Sequence, residues 1–141
     1  DVVKGAARLT AATVRNTIIN LCCPACKQVY ADFDGCMALV CSGCKGHFCG
    51  WCHHAVKDSR ACHEHVRECD MNLTPNGSYY ATDLQTIADG QKRYRIKELK
   101  KFLRGYKKNL QNAIVIELSQ DLKDLNIDPK ALLQCSGLYD A

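Results

Sequence analysis

Three Cys-x-x-Cys pairs, Cys23/Cys26, Cys41/Cys44 and Cys49/Cys52, carry the clearest chemical signal in this chain. Each pair sets two thiolates on one tight turn, a spacing suited to a tetrahedral ion such as zinc. A disulfide framework has no reason to repeat that interval, and the total of 11 cysteines is odd. The pattern points to metal binding and to an intracellular setting, cytoplasmic or nuclear, rather than to secretion. In such a setting the sequons at Asn72 and Asn76 are accidental.

Two pairs, Cys23 with Cys26 and Cys41 with Cys44, supply one complete site. Cys49 and Cys52 need two further ligands from Cys62, His63, His65 and Cys69. His65 and Cys69 are four residues apart and share a face if the stretch is helical, so they are assigned to the second site. His63 is the alternative to His65, and Cys62 stands behind it. Closed sites of this composition are structural, so two structural zinc ions are expected and neither catalyses. A module of about 50 residues buries too little apolar surface to fold alone, and metal binding supplies the difference.

Cys22, Cys36, Cys62 and Cys135 are left over. Cys135 reads as a small packing residue, and Cys22 has no evident role. Cys36 differs because it follows Asp34-Gly35 between two ligand pairs. A hairpin over Lys27–Val40 with its turn near Asp34-Gly35 would present this thiol on a loop stiffened by metal, the glycine leaving room for a partner. Asp32 and Asp34 read as turn formers.

This order of residues resembles the catalytic zinc domain (Rcat) of RING-between-RING ubiquitin ligases. The matching elements are Cys23-Pro24-Ala25-Cys26, then Gly35-Cys36-Met37, then the two later pairs and a closing His/Cys cluster, over residues 23–69. The related in-between-RING (IBR) domain shares the ligand spacing and normally lacks the lone thiol. The resemblance implies an Rcat/IBR-like double-zinc fold in which Cys36 takes ubiquitin from a conjugating enzyme as a thioester and passes it to a substrate lysine. It therefore implies ubiquitin, a conjugating enzyme and a substrate protein as partners. Thioester transfer is nucleophilic catalysis, and it needs a base near the thioester for the incoming lysine. The family's usual base, two residues after the nucleophile, is Ala38 here, and a family Glu or Gln position is His47. His47 is accordingly the candidate base. His53 and His54 read as surface residues or as neighbours supporting the ligands. The alternative implied function is a non-catalytic zinc module serving as an interaction platform. Neither the recruiting RING nor the in-between domain occurs in this chain.

The positioning elements follow from periodicity. Ala11, Val14, Ile18 and Leu21 have helical spacing, so residues 1–21 are expected to form an N-terminal helix. Residues 22–71 form the small zinc-stapled β-hairpin and loop module, and 72–81 a turn-rich linker. Residues 82–141 are expected to be a helical extension, with Leu99, Leu103, Tyr106, Leu110 and Ala113 along one stripe. Gly105 marks a break in that stripe. Asp128-Pro129 has the form of a cap and first residue for a last helix to about Gln134. The chain opens on Asp1 rather than Met and reads as part of a longer protein. No segment has the length and apolarity of a membrane span.

Formal net charge is +4. Seven thiolates against two divalent ions remove three charges and leave about +1, too little to argue for nucleic-acid binding by the chain as a whole. Between Lys92 and Lys108, nine Lys and Arg stand against one acid, Glu98. The run is expected to be the solvated face of a helix, the competing reading being a surface for an acidic partner.

Overall fold

Asp1 opens the first helix, its carboxylate accepting a hydrogen bond from Val3 N at 2.9 Å. The structure is a computed structural model and describes residues 1–30 and 35–133. The chain divides into two units, one formed by residues 1–20 and 95–141, the other by 21–94. Asp32, Asp34 and Cys135 lie outside the described residues.

In the first unit, helix α1 (Val2–Val14) continues into a wider π-helical turn, Arg15–Ile19. Ala7, Ala11, Val14 and Ile18 form its buried stripe, and α1 packs on helix α4 (Lys108–Glu117). Two alanines without exposed surface on that stripe let the helices come close. Leu99, Leu103, Ile114, Leu118, Leu122 and Leu132 complete this core. Arg15 donates from Nε to Asp121 Oδ2 at 3.0 Å and from Nη2 to Glu117 O at 2.8 Å. It thereby places a cation on a carbonyl at the end of α4. The expected break at Gly105 is present: helix α3 (Leu84–Leu103) stops two residues before it, and α4 resumes at Lys108. Helix α5 (Ser119–Asp124) follows at once. Helix α6 (Pro129–Leu133) begins with proline, and Asp128 Oδ1 accepts from Lys130 N at 2.9 Å, the cap anticipated from the dipeptide.

The second unit is built on three short antiparallel strands, β1 (Ala38–Val40), β2 (His47–Cys49) and β3 (Ala55–Val56), in that order across the sheet. Helix α2 (Ser59–Glu68) starts at Asp58, whose Oδ1 accepts from Ala61 N at 2.8 Å, and buries Cys62 and Val66. The hairpin expected over Lys27–Val40 is not formed by the described residues. Each knuckle closes locally instead: Cys23 N bonds Gln28 O at 2.9 Å, Cys22 bridges Val29, and Cys41 N bonds Gly46 O at 2.9 Å. With its backbone groups used this way, the first knuckle leaves β1 to pair with β2, Leu39 facing Phe48.

Residues beyond Met71 also belong to this unit. Met37 N donates to Tyr79 O and Ala81 N donates to Gly35 O, both at 2.8 Å, so an isolated antiparallel bridge sets Tyr80 beside Cys36. Gly35, at φ +95°, accommodates that bridge; a Cβ there would meet Ala81 O at 2.9 Å. The space this glycine opens is thus occupied by the chain's own backbone. Helix α3 up to Tyr94 completes the unit, with Gly90 against Trp51.

Candidate metal centre

Cys23, Cys26, Cys41 and Cys44 converge so that their sulfur atoms all lie within 4.8 Å of one another. Cys23 Sγ to Cys44 Sγ is 3.7 Å and Cys26 Sγ to Cys41 Sγ is 3.6 Å. A tetrahedron of sulfurs about 2.3 Å from a central ion has edges of about 3.8 Å, so the spacing fits. Two near-identical knuckles supply the ligands. In each, a residue in the left-handed region follows the second cysteine, Lys27 at φ 68° and Lys45 at φ 64°. Each lysine ammonium folds back onto its own knuckle, Lys27 on Pro24 O at 3.1 Å and Lys45 on Ser42 O at 3.0 Å. Backbone amides also aim at sulfur, Ala25 N at Cys23 Sγ and Gly46 N at Cys44 Sγ, both at 3.4 Å.

The second group is Cys49, Cys52, His65 and Cys69, again with all ligand atoms within 4.8 Å. Cys49 ends β2, Cys52 follows on the next turn, His65 sits in the last turn of α2, and Cys69 caps it. Cys52 Sγ lies 3.2 Å from His65 Nε2, and Trp51 N points to Cys49 Sγ at 3.4 Å. His63 is not part of the group. Its Nδ1 lies 2.7 Å from Ser59 O, one turn back, and its ring sits edge-on against Tyr79 at 4.8 Å. Cys62 also stays out, buried with Sγ 3.3 Å from Phe48 O.

The thiols of each group share protons unequally. The Cys44 backbone amide chiefly holds Cys41 down at about 6. At Cys44 the Gly46 amide pulls down most strongly of any one neighbour, yet partial burial and the bonds to Cys23, Cys26 and Cys41 together push the thiol up to about 11. In the second group the Cys49 thiol, donating its hydrogen bond, brings Cys52 down to about 4 with help from His65. Cys49 is raised in return by the same bond and by burial. Binding a divalent ion to either group would release the thiol protons still present.

Cys36 lies outside both groups, half-buried, its Sγ 3.7 Å from Ala38 O. It faces Tyr80 across the short bridge, and Tyr80 is exposed. His47 pairs with Val40, four residues along from Cys36. The register thus sets the candidate base opposite the end of β1 that is farther along the chain from Cys36.

The two remaining histidines have different settings. His53 is buried, at 6% exposure and φ 62°, with Nε2 2.7 Å from Tyr30 Oη and its ring 4.0 Å from that of Tyr94. His54 is exposed and stacks on the ligand His65 at 4.9 Å. The aromatic box of Tyr30, Phe48, His53 and Tyr94 was not legible in the sequence, because no local spacing joins residues so far apart. Comparison with protein-family models, characterised proteins and solved structures finds no match.

Proposed function

We propose that the second unit is a double-zinc transferase module in which Cys36 accepts ubiquitin as a thioester and hands it to an amine. The observation that carries this reading is the exclusion of Cys36 from both ligand groups, although it lies between the two pairs of the first group in the chain and stays partly open to solvent. Zinc is the ion of choice for seven thiolates and one imidazole gathered in two groups of four. Its role is to hold the knuckles and α2 in place, and no ligand position is left for a substrate. In the transfer step the Cys36 thiolate attacks the thioester carbonyl, the new carbon–sulfur bond replaces the old one, and the conjugating enzyme's thiolate leaves. Attack by a lysine amine then frees Cys36.

Intact mass and a non-reducing gel after mixing with ubiquitin-charged conjugating enzyme test the proposal. A reducible adduct that disappears in Cys36→Ala, with both metals retained, is the expected result. No adduct on the zinc-loaded wild type sinks it. The second reading is a non-catalytic zinc platform, favoured by the place of His47 opposite Val40, at the end of β1 away from Cys36.

A further inference from the structure

The whole-chain charge conceals a segregation between the two units. Residues 1–20 and 95–141 hold 12 Lys and Arg against 7 Asp and Glu, whereas residues 21–94 hold 7 against 8. Metallation takes about three further charges from the second unit, because seven thiolates face two divalent ions. The first unit keeps a net +5. Most of it is concentrated in residues 95–108, where seven cations accompany the single acid Glu98.

Three observations describe that stretch. Lys101, Arg104 and Lys107 are exposed and Lys100 is half-exposed, at the end of α3 and in the turn after it. None of these four has an ion-pair partner among the described residues; the ion pairs found there are Arg15–Asp121 and Arg60–Glu64. No large exposed apolar side chain occurs between residues 92 and 108, since Phe102 and Tyr106 pack towards the core beside it.

The last observation selects the partner. Protein–protein interfaces draw most of their affinity from a few centrally buried anchors, chiefly Trp, Tyr and Arg, whereas exposed rim charges supply mainly encounter rate. A phosphate backbone needs no anchor. It binds exposed cations through released counterions. At 1.5 Å per helical residue, the side chains from 97 to 103 span about 9 Å of α3, and the turn extends that span. We propose that the end of α3 and the following turn, through Lys100, Lys101, Arg104 and Lys107, form a sequence-independent binding surface for the sugar-phosphate backbone of a nucleic acid. This surface is independent of Cys36 chemistry.

The test is fluorescence anisotropy of the full zinc-loaded chain with a labelled 20-nucleotide single strand, run as uridine and as mixed sequence. Four phosphate contacts predict a loss of affinity on the order of 50-fold between 50 and 200 mM salt, alike for both sequences. Lys100→Gln, Lys101→Gln and Arg104→Gln together should abolish most of that salt dependence while circular dichroism and zinc content stay unchanged. The control is Lys4→Gln, Arg8→Gln and Lys123→Gln, which removes equal charge elsewhere in the unit and should retain binding. No binding by wild type, or equal loss in the control, overturns the proposal. Displacement by polyglutamate at charge concentrations matching the oligonucleotide also overturns it, in favour of an acidic protein partner.

Discussion

Gly90 of α3 lies directly against the indole of Trp51, so closely that a Cβ on Gly90 would overlap the ring atoms Cζ3 and Cε3. Trp51 is 1% exposed, so the indole is held inside the core. Glycine to alanine inside a helix normally stabilises by about 1 kcal/mol. Here the sign should invert, because overpacking a core costs about 1–3 kcal/mol. Chemical denaturation of the zinc-loaded chain should show Gly90→Ala less stable than wild type. At Gly105, where the nearest atom to a new Cβ is Phe102 O at 3.5 Å, alanine should be neutral or stabilising. Equal effects at the two sites would contradict the tight contact.

Metal stoichiometry separates the ligands from their neighbours. Native mass spectrometry should find two zinc ions on wild type and on His63→Ala. Cys41→Ser and His65→Ala should each hold fewer than two ions. Loss of an ion from His63→Ala would mean that the second group has been assigned wrongly.

Chelation should act unevenly. The second unit has three strands of two or three residues each, and metal binding is folding energy for such a module. The first unit has its own apolar core, drawn from α1 and from residues after Arg95. Excess chelator should therefore abolish Trp51 burial, read as a red-shifted and quenchable fluorescence, while most helical circular dichroism persists. Complete loss of the helical signal would show that the first unit has no stability of its own.

Thiol reactivity should follow burial. Cys62 is 1% exposed, and loss of solvent raises it above the usual thiol range. Cys22 is raised for the same first cause, only partly offset by Lys27. A raised thiol holds less thiolate at neutral pH and alkylates more slowly. Peptide mapping after brief iodoacetamide treatment of the zinc-loaded chain should find Cys36 labelled well ahead of Cys22 and Cys62. Labelling of Cys62 first would show that α2 opens readily.

His47→Ala should load and discharge like wild type, given the strand register between His47 and Cys36. A general base is worth about 10²–10⁴ in rate. A discharge rate lowered by that much, with loading intact, would restore His47 as the base.

How far the sequence spoke depended on whether a feature was local. The knuckles were legible because two ligands and their turn lie within four residues, and the interval repeats. Asp128-Pro129 was legible for the same reason, since a cap acts on its immediate neighbours. The Cys36–Tyr80 bridge was not, because a single bridged pair leaves no alternation to read and its two residues lie more than 40 apart in the chain. Gly35 was singled out correctly as special, yet its reason is the approach of Ala81 O rather than space for another molecule. Charge misled in another way. A single net value averaged over two units that the hydrophobic pattern does not separate, since α3 runs through the boundary at Tyr94 and Arg95.

Strand β2 is three residues long, and each of its ends enters a different ligand group. Cys41 and Cys44 lie on the turn before it, and Cys49 closes it. Neither centre can lose its ion without loosening the strand that orients the other. Occupancy of the two sites is therefore linked by a shared free energy, and linkage of this kind is reciprocal: whatever the first ion does for the affinity of the second, the second does for the first. During a zinc titration the singly loaded chain should stay a minor species, and the module should respond to falling metal supply as a threshold rather than in two steps.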